Sequence, residues 1–147
     1  MTNKIAEITI DQSLLIRSEK YTRERNRAVT DILENNSFSV SDIKGPYSIN
    51  IEVIDNKVVM SLDESNKINI SLSPLRRIIK DYAIICESYT HAINSADGKK
   101  IETIDMGRRG VHNEGAEIIE DLLDGKAEID FETSRKLFTL IYFLQLK

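Results

Sequence analysis

Arg108 and Arg109 lie between Gly107 and Gly110, with His112 and Glu114 close behind. The segment Asp105-Met106-Gly107-Arg108-Arg109-Gly110-Val111-His112-Asn113-Glu114-Gly115 thus gathers much of the chain's chemically versatile material. Guanidinium groups present forked donors that match phosphate or carboxylate oxygens. Glycines on either side would let backbone N–H groups of Gly107 and Gly110 reach the same anion, and a helix beginning near Asn113 would aim its positive end at it. His112 and Glu114, with Asp105 upstream, could orient such a ligand or move protons as a general acid and base. The alternative is a glycine-broken helical hairpin whose arginines only cap carbonyls or pair with Asp105, Glu114 or Glu117.

Other chemistry finds less support. The spacing is neither that of a P-loop nor that of a dinucleotide-binding glycine turn. His-x-Glu occurs in zinc deaminases, but those also need a Pro-Cys-x-x-Cys segment, and this chain has a single cysteine, Cys86. With two histidines, His91 and His112, no metal-ligand spacing is present, and neither a metal nor a cofactor is expected. Cys86 falls on the apolar side of a helical pattern, where cysteine behaves as a small hydrophobe. Glu87 and His91 are four apart and form an ordinary helix-surface pair unless the fold sets them beside Arg108. Arg23, Arg25 and Arg27, and likewise Arg76, Arg77 and Lys80, are interspersed with acids and lack aromatic interleaving. Together with a net charge of −4 this argues against nucleic acid as a partner.

These residues need a scaffold, and 147 residues with 41% hydrophobic and 30% charged side chains suit one globular domain. Residues 4–10 alternate, with Ala6, Ile8 and Ile10 on one face, and predict a strand. A surface helix is predicted from Ser18 to about Asn35, then a turn-rich connector through Pro46. Tyr47 to Val53 and Lys57 to Leu62 flank an Asp55-Asn56 turn as a hairpin, and Lys67 to Leu72 adds a third alternating run. Ser73-Pro74 opens a long amphipathic helix that stops near Asp97-Gly98 and carries Leu75, Ile78, Ile79, Tyr82, Ile85, Cys86, Tyr89 and Ile93 on its apolar side. A further helical pattern starts at Lys99, breaks around Gly107 to Gly110, resumes near Asn113 and ends near Gly125. Asp130 caps a last helix, apolar on most sides, which is either buried or paired with a second subunit as a homodimer.

The expected fold is therefore α+β: an antiparallel meander sheet of about four strands covered on one face by helices, in a single domain spanning residues 1–147. The apolar run from Leu137 to Leu146 is far shorter than the ~20 residues a bilayer span needs, so no membrane is expected. The N-terminus lacks the apolar core of a secretion signal and the lone cysteine cannot form an intramolecular disulfide, so the expected compartment is the cytoplasm.

Leu72-Ser73-Pro74-Leu75-Arg76-Arg77-Ile78-Ile79-Lys80-Asp81-Tyr82, Ile85-Cys86-Glu87-Ser88-Tyr89 and the run from Ile104 to Gly115 resemble a bacterial family, uncharacterised protein family 0262. Glu34 to Phe38, Gly45-Pro46-Tyr47 and Phe131 to Leu140 extend the likeness over nearly the whole chain. The resemblance implies a cytosolic bacterial setting and no particular mechanism. From the residues, the leading expectation is a binding or regulatory module that holds an anionic group of a metabolite or protein partner through Arg108, Arg109, Gly107 and Gly110, with His112 and Glu114 in support. Two alternatives stand beside it. One is a hydrolase or transferase on a phosphorylated substrate using His112 and Glu114. The other is an interaction protein that assembles through its last helix.

Overall fold

The computed structural model describes residues 2–11, 19–95 and 97–145. The predicted helix start at Ser18 and the end of the apolar run at Leu146 lie outside them.

Strand β1 (Ile5–Ile10) is followed by helix α1 (Glu19–Glu34) and a two-residue strand, β2 (Phe38–Ser39). Three strands come next, β3 (Tyr47–Ile54), β4 (Lys57–Ser61) and β5 (Lys67–Ser71). A 3-10 turn at Ser73–Leu75 leads into α2 (Arg76–Ser95), α3 (Gly98–Leu123), β6 (Glu128–Ile129) and α4 (Phe131–Leu144). The main sheet has the order β1-β3-β4-β5, and β2 pairs separately with β6. The class is α+β, as the sequence predicts, but the sheet is mixed. β3, β4 and β5 form the expected antiparallel meander, whereas β1 runs parallel to β3. The cause is connectivity. Two antiparallel strands can be joined by a tight turn, but β1 reaches β3 only after α1, a crossover long enough for parallel pairing.

Local chemistry explains the joints. Asp55 and Asn56 both have positive φ, 49° and 63°, as a two-residue hairpin turn of the primed type requires, and short polar side chains tolerate it. Ala6 is exposed while Ile5 is buried, because the β1 register shifts between Ile5 and Glu7. The alternation from Ala6 to Ile10 was therefore one residue out at its start. Asn36, just past α1, accepts a hydrogen bond from the Ile5 N–H at 2.7 Å. It donates to the carbonyls of Ile5 at 3.0 Å and Ile32 at 2.8 Å, tying β1 to the end of α1. The side chains of Asp97 and Asp130 accept from Lys100 N and Thr133 N and so cap α3 and α4. Ser73 makes no side-chain cap. It begins the 3-10 turn, and its hydroxyl accepts from Asn56 Nδ2 at 2.9 Å.

The inner face of the sheet contributes Ile49, Ile51, Val58, Met60, Ile68 and Ile70 to one core. Ala28 and Ile32 of α1, Ile119 and Leu123 of α3, and Leu137, Phe138, Leu140 and Ile141 of α4 close it from the helical side. Leu137, Phe138, Leu140, Ile141, Tyr142 and Leu144 of α4 are buried within the chain. Ile93, placed by periodicity on the inner side of α2, is exposed.

The largest departure from expectation is α3. It is one continuous helix through Gly107 and Gly110, with no break and no new N-terminus at Asn113. Two of its glycines are there for close packing. A Cβ on Gly115 would lie 2.5 to 2.6 Å from three ring carbons of Phe138 on α4, and one on Gly107 would lie 2.8 Å from Cδ1 of Ile85 on α2. Helices that approach this closely leave no room for even a methyl group. The helix former's disadvantage of glycine, about 1 kcal/mol, is the cost of that proximity.

Candidate functional site

Continuity of α3 rearranges the site. Helical N–H groups bond to carbonyls one turn back, so the backbones of Gly107 and Gly110 are not available to a ligand and the anticipated glycine loop does not exist. What replaces it is a polar stripe. Asp105, Arg108, Arg109, His112 and Asn113 occupy positions i, i+3, i+4, i+7 and i+8 and therefore share one face of α3. Glu114 is exposed and lies two residues past His112, about 200° around the helix, so the imagined His112–Glu114 acid–base pair has no geometry. Among the described residues, no three His, Cys, Asp or Glu side chains gather as metal ligands would.

Asp105 organises one end of the stripe. Its Oδ1 accepts from Arg108 Nη2 at 2.6 Å and Nε at 3.2 Å, and its Oδ2 pairs with Arg109 Nη2 at 2.7 Å. The Arg108 hydrogen bond, opposed by partial desolvation and aided by both arginine charges, holds the Asp105 carboxyl below the usual carboxylate range. The Arg108 guanidinium also lies 4.7 Å over the ring of Tyr89 on α2. Arg109 is the free hand of the pair, since its side chain keeps 69% of its exposure against 34% for Arg108.

His112 is the half-buried element. Its ring sits 5.4 Å from the rings of both Tyr82 and Phe138. The Thr139 hydroxyl donates to the Arg135 carbonyl at 3.2 Å, which leaves its oxygen to accept from His112 Nε2 at 2.7 Å. The neutral ring then carries its proton on Nε2, and the buried Nδ1 has no hydrogen-bond partner among the described residues. Burial pushes the imidazole pKa down to about 4, with help from the charges of Arg135 and Arg108, so His112 is neutral at pH 7. Burial likewise raises Tyr82 to about 12 and pushes the Cys86 thiol up, away from the reactive thiolate.

Across from the stripe, α4 supplies Arg135 and Thr139, one helical turn apart. Arg135 reaches Glu132 through Nη1 at 3.3 Å, while its buried Nε has no partner among the described residues. Together Tyr82, Arg108, Arg109, His112, Asn113, Arg135 and Thr139 line an open cavity of about 580 Å³. Of the residues singled out in the sequence, Arg108, Arg109 and His112 meet there, while Glu114 does not line it and the glycines only shape the helix. Glu87 and His91, 3.9 Å apart, stand with Arg108 around a neighbouring cavity. Arg76 bonds to Asn56 and Arg77 pairs with Asp81 at the far end of α2.

Sequence reasoning missed Arg135, Thr139, Tyr82 and Asn113. Arg135 and Thr139 lie four apart and so share one face of α4, and Thr139 is the one polar residue between Leu137 and Leu144, which is a usable signal. Asn113 was concealed by the supposed break, because its place on the Asp105 stripe follows only if the helix is unbroken.

Fold and site together define a small α+β protein whose helical layer carries an arginine-lined groove between α3 and α4. Over residues 2–147 the chain matches, and belongs to, uncharacterised protein family UPF0262. It is 43% identical to a UPF0262 protein of Rhizobium leguminosarum bv. trifolii over 147 residues, 96% of this chain and 94% of that one. It is 41% identical to one from Methylobacterium radiotolerans over 151 residues, 99% and 94%. For one from Brucella abortus the figure is 42% over 148 residues, 96% and 92%. No solved structure matches the chain. Among the described residues no helix is long and apolar enough to cross a membrane.

Proposed function

We propose that the protein is a binding module that holds an anionic group, phosphate or carboxylate, in the groove between α3 and α4. The observation that carries this reading is the convergence of three guanidinium groups, Arg108, Arg109 and Arg135, on one cavity. Among the described residues their carboxylate partners are Asp105 and Glu132, which leaves an excess of positive charge. The Arg109 side chain keeps 69% of its exposure and that of Arg135 keeps 34%, so both retain capacity for a ligand. Neutral His112 contributes shape and a fixed Thr139 hydroxyl. A pure folding role for the arginines would need them spent on the protein's own carboxylates with no cavity beside them. Proton transfer by His112 and Glu114 has no comparable support, since the two diverge around α3.

Isothermal titration calorimetry with inorganic phosphate and with succinate, at low ionic strength, tests the reading. Saturable binding of either anion is expected, weakened at least about tenfold in Arg135→Gln and in Arg109→Gln, because a charge-assisted hydrogen bond contributes roughly 1.5–3 kcal/mol. Absence of binding, or binding indifferent to both substitutions, would refute it.

A further inference from the structure

The groove does not end at Arg108. A second cavity, of about 570 Å³, lies against the first and shares Tyr82, Arg108 and Thr139 with it. Its remaining walls differ in chemistry. Tyr142 and Phe143 of α4 present rings 5.2 Å apart at 69°, Tyr142 meets Tyr82 edge-on at 4.9 Å, and Tyr21 and Ala83 add further apolar surface. Glu24 of α1 and Glu87 of α2 stand at this second cavity, where the first has arginines. A single elongated depression thus runs from a cationic end, past an aromatic waist, to an acidic rim.

Resting on the anion-binding reading above, we infer that the ligand is an aromatic organic anion. Its phosphoryl or carboxyl group sits at Arg108, Arg109 and Arg135, and its ring sits in the adjoining cavity against Tyr82, Tyr142 and Phe143. The argument is one of matching. A bare inorganic ion fills only the first cavity and gains nothing from the second. A long aliphatic chain would bring flexible methylenes to walls that present ring edges and faces, whereas a flat ring finds edge-to-face partners there. A dianion with an extended acidic body would meet Glu24 and Glu87, so the charge belongs at one end only. A ring bearing N–H or O–H donors at its far side would find acceptors in those two carboxylates. The shared position of Arg108, on the wall of both cavities and stacked on Tyr89, fixes where head and ring join.

Phenyl phosphate and benzoate are the probes, compared by calorimetry with inorganic phosphate and acetate. The phosphate and carboxylate arms distinguish the two possible head groups. Wild-type protein is expected to bind the aryl member of one pair at least about tenfold more tightly than its ringless partner, as burial of a phenyl face warrants. Thr90→Trp fills the second cavity from its exposed rim, and Ala83→Leu fills it from the wall. Either is expected to remove the aryl advantage while leaving inorganic phosphate or acetate binding unchanged. If the ringless anions bind and the aryl compounds bind no more tightly, the inference is overturned and the anion reading survives. If an aryl advantage persists undiminished in both filled variants, the ring lies elsewhere and the inference is likewise overturned. If no ringless or aryl anion binds, both fall together.

Discussion

The two halves of α3 are built on opposite rules. From Gly115 onward the helix is core: Gly115, Ala116, Ile119 and Leu123 are buried, and the absent Cβ of Gly115 lets Phe138 lie against the backbone. From Gly98 to Gly110 nothing is fully buried, charges crowd one face, and Gly110 looks onto open space. Residues of similar type therefore mean different things along one element. A glycine in the second half is a packing device, one at 110 is not, and half-buried His112 sits at the border, its ring against Tyr82 and Phe138 and on the wall of the groove. Helices can support a site at one end because the other end is anchored by apolar burial.

The sharpest way to break this contrast is Gly115→Ala. Overpacking against a fully buried Phe138 outweighs the ~1 kcal/mol gain in helix propensity, for an expected net loss of roughly 1–3 kcal/mol in urea unfolding. Pairing it with Phe138→Leu is expected to recover part of that loss beyond additivity. Unchanged stability in the single variant would mean that the two helices are not in the contact described.

Acid titration comes next and probes the border. His112 has a folded pKa of about 4 against an ordinary 6.5, so the unfolded chain binds the extra proton first. Stability associated with neutral His112 is full above pH 6.5 and is lost as pH falls from there through about 4. Discounted for the ring's partial solvent contact, the loss is on the order of 1–2 kcal/mol. His112→Gln is expected to flatten that part of the stability curve. An equally steep loss in the variant would assign the acid sensitivity to other groups.

In the charged half, Asp105→Asn removes the carboxylate that occupies Arg108 and Arg109. Stability is expected to change little, as for other partly exposed ion pairs. Phosphate or carboxylate affinity is expected to rise severalfold by calorimetry, since both guanidinium groups are released. A fall in affinity would make Asp105 part of the ligand site rather than its competitor. Smallest of all, Gly110→Ala should stabilise the protein by about 0.5–1 kcal/mol in thermal unfolding, since its new methyl meets nothing among the described residues. Destabilisation there would reveal a hidden constraint on the helix.

This contrast also explains what could be read from the sequence. The hairpin at Asp55-Asn56, the caps Asp97 and Asp130, and the apolar faces of α2 and α4 follow from local rules, because turn chemistry and periodicity act over a few residues. The parallel pairing of β1 was hidden because it joins residues separated by a whole helix. The misreading of Gly107 to Gly110 had a physical origin too. Glycine loosens a backbone and also permits close approach, and at Gly107 it is the neighbour Ile85 on α2 that decides which use applies. Once the break is removed, Asp105, Arg108, Arg109, His112 and Asn113 fall on one stripe by spacing alone. Arg135 and Thr139 join them through packing of α3 on α4, which no local pattern reports.

The central claim, that the three arginines form one anion site, is tested most directly by following arginine Nε–H resonances in a nitrogen–proton correlation spectrum during titration with phenyl phosphate. The account predicts that Arg108, Arg109 and Arg135 shift together along a single saturable curve, while Arg23, Arg27, Arg76 and Arg77 stay in place. Shifts spread across all surface arginines without saturation, or no shift at the three groove residues, would contradict it.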